Sequence, residues 1–197
     1  MRLFLLTLGL MALTPEFSAA QAQTIVDDPV AAEMAEPTLP RARADYIEND
    51  SPLLRVVRDY NNDGLPDVAL VPSDMCGQGT GCEYALYLGR QDGRFALIGT
   101  LPAWAESEDL QPVRAGVARL LHCYITRDGK YDGVDALLVS ENGITRERSF
   151  VPSPSKADVI CSWTQRAAQG WTPDFMTEQC SMREYLATRR CTWLTTE

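Results

Sequence analysis

Between Arg58 and Val71 the chain reads RDYNNDGLPDVALV, and its oxygen-bearing side chains recur at alternate positions. With Asp59 as the first position, Asn61 is the third, Asp63 the fifth and Asp67 the ninth, while Gly64 is the sixth and the Leu65 carbonyl the seventh. Ca²⁺ takes roughly six to eight hard oxygen ligands, and alternate residues of a tight loop can turn their side chains toward one point where a glycine permits the bend. An EF-hand is excluded, because its twelfth position needs a bidentate Glu and here is Leu70, and because both flanks read as strand. Tight turns also select Asp, Asn and Gly. A plain turn, however, does not need five ligand positions in register, and three clustered carboxylates repel one another without a cation.

Asp59-x-Asn61-x-Asp63-Gly64-x-x-Asp67 followed by VALV resembles the calcium loop of FG-GAP and VCBS-type repeats, in which such a loop joins two strands of a sheet. The resemblance covers residues 58–71 and implies Ca²⁺ held by the side chains of Asp59, Asn61, Asp63 and Asp67 and by the Leu65 carbonyl, in a structural role. It does not imply a propeller, because the chain is too short for a ring of blades. A degraded copy follows in TRDGKYDGVDALLV, where Asp128, Asp132, Gly133 and Asp135 repeat four positions with one deletion and Lys130 stands in place of Asn61. A cation among the ligands opposes metal binding, so this copy reads as a structural echo.

Little else in the chain is chemical. There is no G-x-S-x-G, H-E-x-x-H or phosphate-binding loop, and the single histidine, His122, lies in an apolar run beside Cys123, where packing on a strand is the simplest expectation. Ser153-x-x-Lys156 has the spacing of a penicillin-binding nucleophile, but Pro152 and Pro154 prevent the helix turn that chemistry requires. Zinc would need paired C-x-x-C spacings or more histidines. The reading is therefore a non-enzymatic binding or interaction module, with no catalytic residues assigned. Trp104 beside the acidic run Glu106 to Asp109 is a candidate surface for a protein or a saccharide. The alternatives are a periplasmic hydrolase using a carboxylate pair drawn from Glu83, Glu106 and Asp109, or an inhibitor of another enzyme.

The elements that would position the loop are mainly β. Leu53 to Val57, Asp67 to Val71, Glu83 to Gly89, Arg94 to Leu101, Ala118 to Thr126, Val134 to Ser140 and Ile144 to Phe150 form apolar or alternating runs separated by turn signals such as RQDG and Glu141-Asn142-Gly143. The expectation is an α+β domain over residues 53–150, mainly an antiparallel meander of about seven strands. Residues 151–197 form a short, helical, disulfide-stapled tail on the same domain. Thr172-Pro173 and Ser181-Met182-Arg183-Glu184 are helix-start signals within it, placing one or two helices between Pro173 and Arg190. Residues 23–52, with Pro29, Pro37, Pro40 and Pro52, read as a loose acidic lead with a helical turn at Val30 to Ala35.

Arg2, the apolar run Leu3 to Leu13 and the Ala20-Gln21-Ala22 cleavage pattern make residues 1–22 an export signal, and no later segment could span a membrane. The protein is thus expected in the periplasm or secreted, as a monomer. Its net charge of −9 disfavours nucleic acid and anionic membranes as partners. Six cysteines in an exported chain argue for three disulfides, of which only Cys76 with Cys82 is suggested by local spacing. Under non-reducing mass spectrometry all six thiols should resist alkylation; two or more reactive thiols would reopen the zinc and redox readings.

Overall fold

A computed structural model describes residues 23–38, 51–72, 83–102, 109–125, 131–151 and 176–195. Two antiparallel sheets dominate. The first has seven strands: β1 (Thr24–Val26), β2 (Leu53–Arg58), β3 (Asp67–Pro72), β4 (Glu83–Gly89), β5 (Phe95–Pro102), β10 (Met176–Cys180) and β11 (Leu194–Thr195), in the order β1-β5-β4-β3-β2-β10-β11. The second is a four-stranded meander of β6 (Asp109–Arg114), β7 (Val117–Ile125), β8 (Tyr131–Ser140) and β9 (Gly143–Phe150). Helix α1 spans Pro29–Ala35 and α2 spans Met182–Thr188.

The strands read from the sequence are all present, and the physical reason is visible in their faces. On β4, Tyr84, Leu86 and Leu88 join Val56, Ala69, Val71 and Leu101 in a core closed from the second sheet by Leu120, Leu137 and Val139. The alternate residues Ala85 and Tyr87, with Val68 and Leu70, face a second core capped by Val30 of α1 and by Met182 and Tyr185 of α2. Because the first sheet is covered on both faces, β3 and β4 read as continuous apolar runs without polar alternation. The outer edge strand β9 is charged instead, with Arg146, Glu147 and Arg148 exposed, which blunts edge-to-edge pairing.

The terminal segments are more integrated than their composition suggests. β1 pairs with β5, and α1 begins at an Asp28 side chain that accepts from the N–H of Val30 (2.9 Å) and Ala31 (3.3 Å), with Pro29 in the first turn. Glu33 of α1 is fully buried; it accepts from the Tyr87 hydroxyl at 3.0 Å and from the Thr38 amide and hydroxyl at 3.0 and 2.8 Å. Burial, and then the Glu33 charge, push the Tyr87 phenol well above its ordinary range. Residues 23–38, expected to be loose, thus dock on the sheet through a buried carboxylate.

In the tail, Ser181 caps α2 by accepting from the Glu184 amide at 3.4 Å, as the capping-box reading expects. The preceding Met176–Cys180 is a strand along β2, within the stretch marked out for helices, because the open edge of β2 offers a full ladder of backbone partners. A disulfide joins Cys180 to Cys191 around α2. Cys76, Cys82, Cys161 and the Thr172-Pro173 signal lie outside the described residues. Among those described, no helix is long and apolar enough to cross a membrane.

Gly89, at the end of β4, passes so close to the Asp-rich loop that a Cβ there would sit 2.3 Å from the Pro66 carbonyl oxygen. Gly89→Ala should therefore destabilise the fold by about 1–3 kcal/mol, as overpacking against backbone does. Urea unfolding measures this, and an unchanged midpoint would show that the approach is not close in solution.

Candidate metal centre

The loop of residues 59–66 connects β2 to β3, and the pair Arg58 and Asp67 closes its base. Its backbone turns at Asn62 (φ 59°) and Gly64 (φ 85°), the left-handed conformations that Asn and Gly tolerate best. The side chains then satisfy the amides that this bend leaves without ladder partners. Asp59 accepts from the Asp63 N–H through Oδ1 (3.1 Å) and from the Gly64 N–H through Oδ2 (2.8 Å). Asp63 accepts from the Leu65 N–H (2.8 Å) and from Asn61 Nδ2 (2.9 Å), while Asn61 Oδ1 accepts from the Asp63 N–H at 3.1 Å.

Asp67 ties the loop to the sheet. It is fully buried, and its two oxygens accept from the Tyr60 N–H at 2.7 Å and from the Gly89 N–H at 2.8 Å. A second attachment runs to the other sheet: the Asn62 carbonyl accepts from the Gly116 N–H at 3.1 Å, and Asn62 Nδ2 donates to the Arg114 carbonyl at 3.3 Å. The loop therefore fastens β2, β3 and β4 of one sheet to the β6–β7 turn of the other. Tyr60, Asn62, Gly89 and Gly116 carry these attachments through backbone atoms, which residue types do not announce.

All five residues picked out for Ca²⁺ lie in this one bend. Their chemistry suits a hard cation: three carboxylates, an amide oxygen and the Leu65 carbonyl, with no lysine or arginine within the loop. Each of the six carboxylate oxygens already accepts one hydrogen bond from the protein and keeps a further lone pair. Among the described residues no three His, Cys, Asp or Glu side chains converge as a ready-made metal cage. The arrangement is a hydrogen-bonded frame, and a cation would enter it by drawing the exposed Asp63 and half-buried Asp59 inward.

Burial dominates the ionisation of Asp67. Its pKa is pushed up from 3.8 to about 7, chiefly by burial, with Asp63 and Asp59 adding repulsion against the lowering effect of the Gly89 and Tyr60 amides. Of the echo in the second sheet, the described part lies on a strand. Asp132 and Gly133 belong to β8, with Gly133 opposite Tyr124, and Asp135 is buried on that strand, bonded to Ser149 Oγ at 2.5 Å and to Arg146 Nε at 2.8 Å. Asp128 and Lys130 lie outside the described residues. His122 is buried on β7 opposite Asp135. Trp104, Glu106 and the rest of the acidic run before Asp109 are outside the described residues, and Glu83 is exposed at the start of β4. Comparison with protein-family models, curated proteins and solved structures found no match for this chain.

A carboxylate whose folded pKa lies above its unfolded value stabilises the fold fully at low pH, and that contribution is lost as the pH rises through the folded value. With chelator present, stability should therefore fall between about pH 3.8 and about pH 7 as Asp67 is forced to ionise. Urea midpoints across this range check the sign, and Asp67→Asn should flatten the profile; an equally steep profile in the variant would assign the effect elsewhere.

Proposed function

We propose that this chain is an exported, non-enzymatic binding module whose β2–β3 loop takes up a structural Ca²⁺ through Asp59, Asn61, Asp63, Asp67 and the Leu65 carbonyl. One observation carries the metal reading: three carboxylates share a single short bend, and burial, with a smaller repulsion from Asp63 and Asp59, pushes the pKa of the buried Asp67 up to about 7. A divalent cation would replace a proton at Asp67 and cancel the repulsion from Asp59 and Asp63. Its role would be structural, because the loop anchors the first sheet to the β6–β7 turn.

Export rests on the character of residues 1–22, and the disulfide Cys180–Cys191 agrees with an oxidising compartment. The non-enzymatic reading is supported by what the loop's polar groups do, since they bond to backbone amides and to one another. A protein or saccharide partner is suggested by Trp104 beside the acidic run Glu106 to Asp109, and the net charge of −9 disfavours anionic partners.

Calorimetry should show a higher melting temperature in Ca²⁺ than in chelator, with a gain of about 2.7 kcal/mol at a hundredfold excess over Kd. Asp59→Asn combined with Asp63→Asn should abolish the response. Equal melting of the parent chain in both conditions would remove the metal.

A further inference from the structure

Beside the loop lies an open cleft of about 380 Å³. Three turns from both sheets meet around it: the β2–β3 loop through Asn61 and Asp63, the β4–β5 turn through Arg90 and Gln91, and the β8–β9 turn through Glu141. Gln23 closes one side, and Leu88 and Ala96 provide a small buried apolar floor. The volume falls within the roughly 300–1,000 Å³ of ligand clefts.

The polar groups of this cleft divide into two kinds. Asn61 and Asp63 bond to each other within the β2–β3 loop, Asp92 is held by Arg94 Nε and Nη2 at 3.0 and 2.7 Å, and the Gln23 amide donates to the Glu141 carbonyl, so these already have partners in the protein. The Gln91 amide and the Glu141 carboxylate have no hydrogen-bond partner among the described residues, and Arg90 reaches Asp92 only at 3.8 Å. An amide, a carboxylate and a guanidinium thus remain to address a ligand. A hydroxyl can donate to a carboxylate while accepting from an amide or guanidinium, so neighbouring hydroxyls satisfy this mixture without bringing charge. An anion would meet Asp63, Asp92 and Glu141 on a chain of net charge −9. A polyamine would meet Arg90, and an apolar ligand would leave the polar wall unsatisfied.

We propose that this cleft is the ligand seat of the binding module and takes a small neutral polyhydroxylated molecule, a mono- or disaccharide, addressed by Arg90, Gln91 and Glu141. The proposal rests on the binding-module reading and deepens it; it does not require the metal.

Titration calorimetry of the purified chain with glucose, maltose and di-N-acetylchitobiose, and with spermidine and inorganic phosphate as comparators, tests it. At least one neutral saccharide should bind saturably, and Gln91→Ala and Glu141→Ala should each weaken it by about tenfold. Both variants should keep the parent melting temperature and its response to Ca²⁺. No saccharide binding, binding insensitive to both substitutions, or a preference for spermidine or phosphate would overturn the proposal. A parent chain that responds to Ca²⁺ but binds no saccharide would remove the cleft alone. Saccharide binding without any Ca²⁺ response would support the cleft and remove the metal.

Discussion

Three carboxylates in one bend repel one another, and the fold answers that repulsion by giving each oxygen a donor. Asp59 and Asp63 close the loop on its own amides, and Asp67 bonds Tyr60 on one side and Gly89 on the other. Fully buried, Asp67 is tolerated because those two amides are aimed at it. That constraint fixes the ends of three strands. It forbids a side chain at Gly89, whose Cβ would strike Pro66, and it holds Asn62 in a left-handed turn from which the loop reaches Gly116.

The layering of the domain follows from the same arithmetic of faces. A central sheet buried on both sides needs cover on each, and the four-stranded sheet supplies one side while α1, α2 and the residues Cys191 and Trp193 supply the other. Short helices of this kind gain little stability alone and owe it to packing. Glu33 and the disulfide Cys180–Cys191 pin the two helices where their apolar faces would be too small to do so unaided. Polar anchors thus recur wherever a thin element must be held: Asp67 at the loop, Glu33 at α1, and Asp135 between Arg146 and Ser149 on the second sheet.

The seven principal strands and their turns were legible because apolar runs bounded by Gly, Asn and Asp have few other solutions; RQDG and Glu141-Asn142-Gly143 form the expected hairpins. The ligand spacing from Asp59 to Asp67 was equally legible as one polar bend. What residue types could not convey was tertiary. The division into two sheets depends on which strands face each other across a core. β1, β10 and β11 are polar or short and are strands because an open edge supplied partners. The contacts of Asp67 with Gly89 and of Asn62 with Gly116 run through backbone amides far apart in sequence. Asp135 shares the spacing of Asp67, but it lies within β8 and bonds to Ser149 and Arg146 instead of to backbone amides of a bend.

The central claim is that one divalent ion at the bend joins these strand ends. The most direct measurement is an amide-resolved NMR titration of the ¹⁵N-labelled chain with CaCl₂. The account predicts saturable shifts at one equivalent concentrated on the amides of Tyr60, Asp63, Gly64, Leu65, Gly89 and Gly116, the groups that bond to the loop. Amides that stay in place through millimolar Ca²⁺, or that shift only weakly and evenly across the acidic surface, would contradict it.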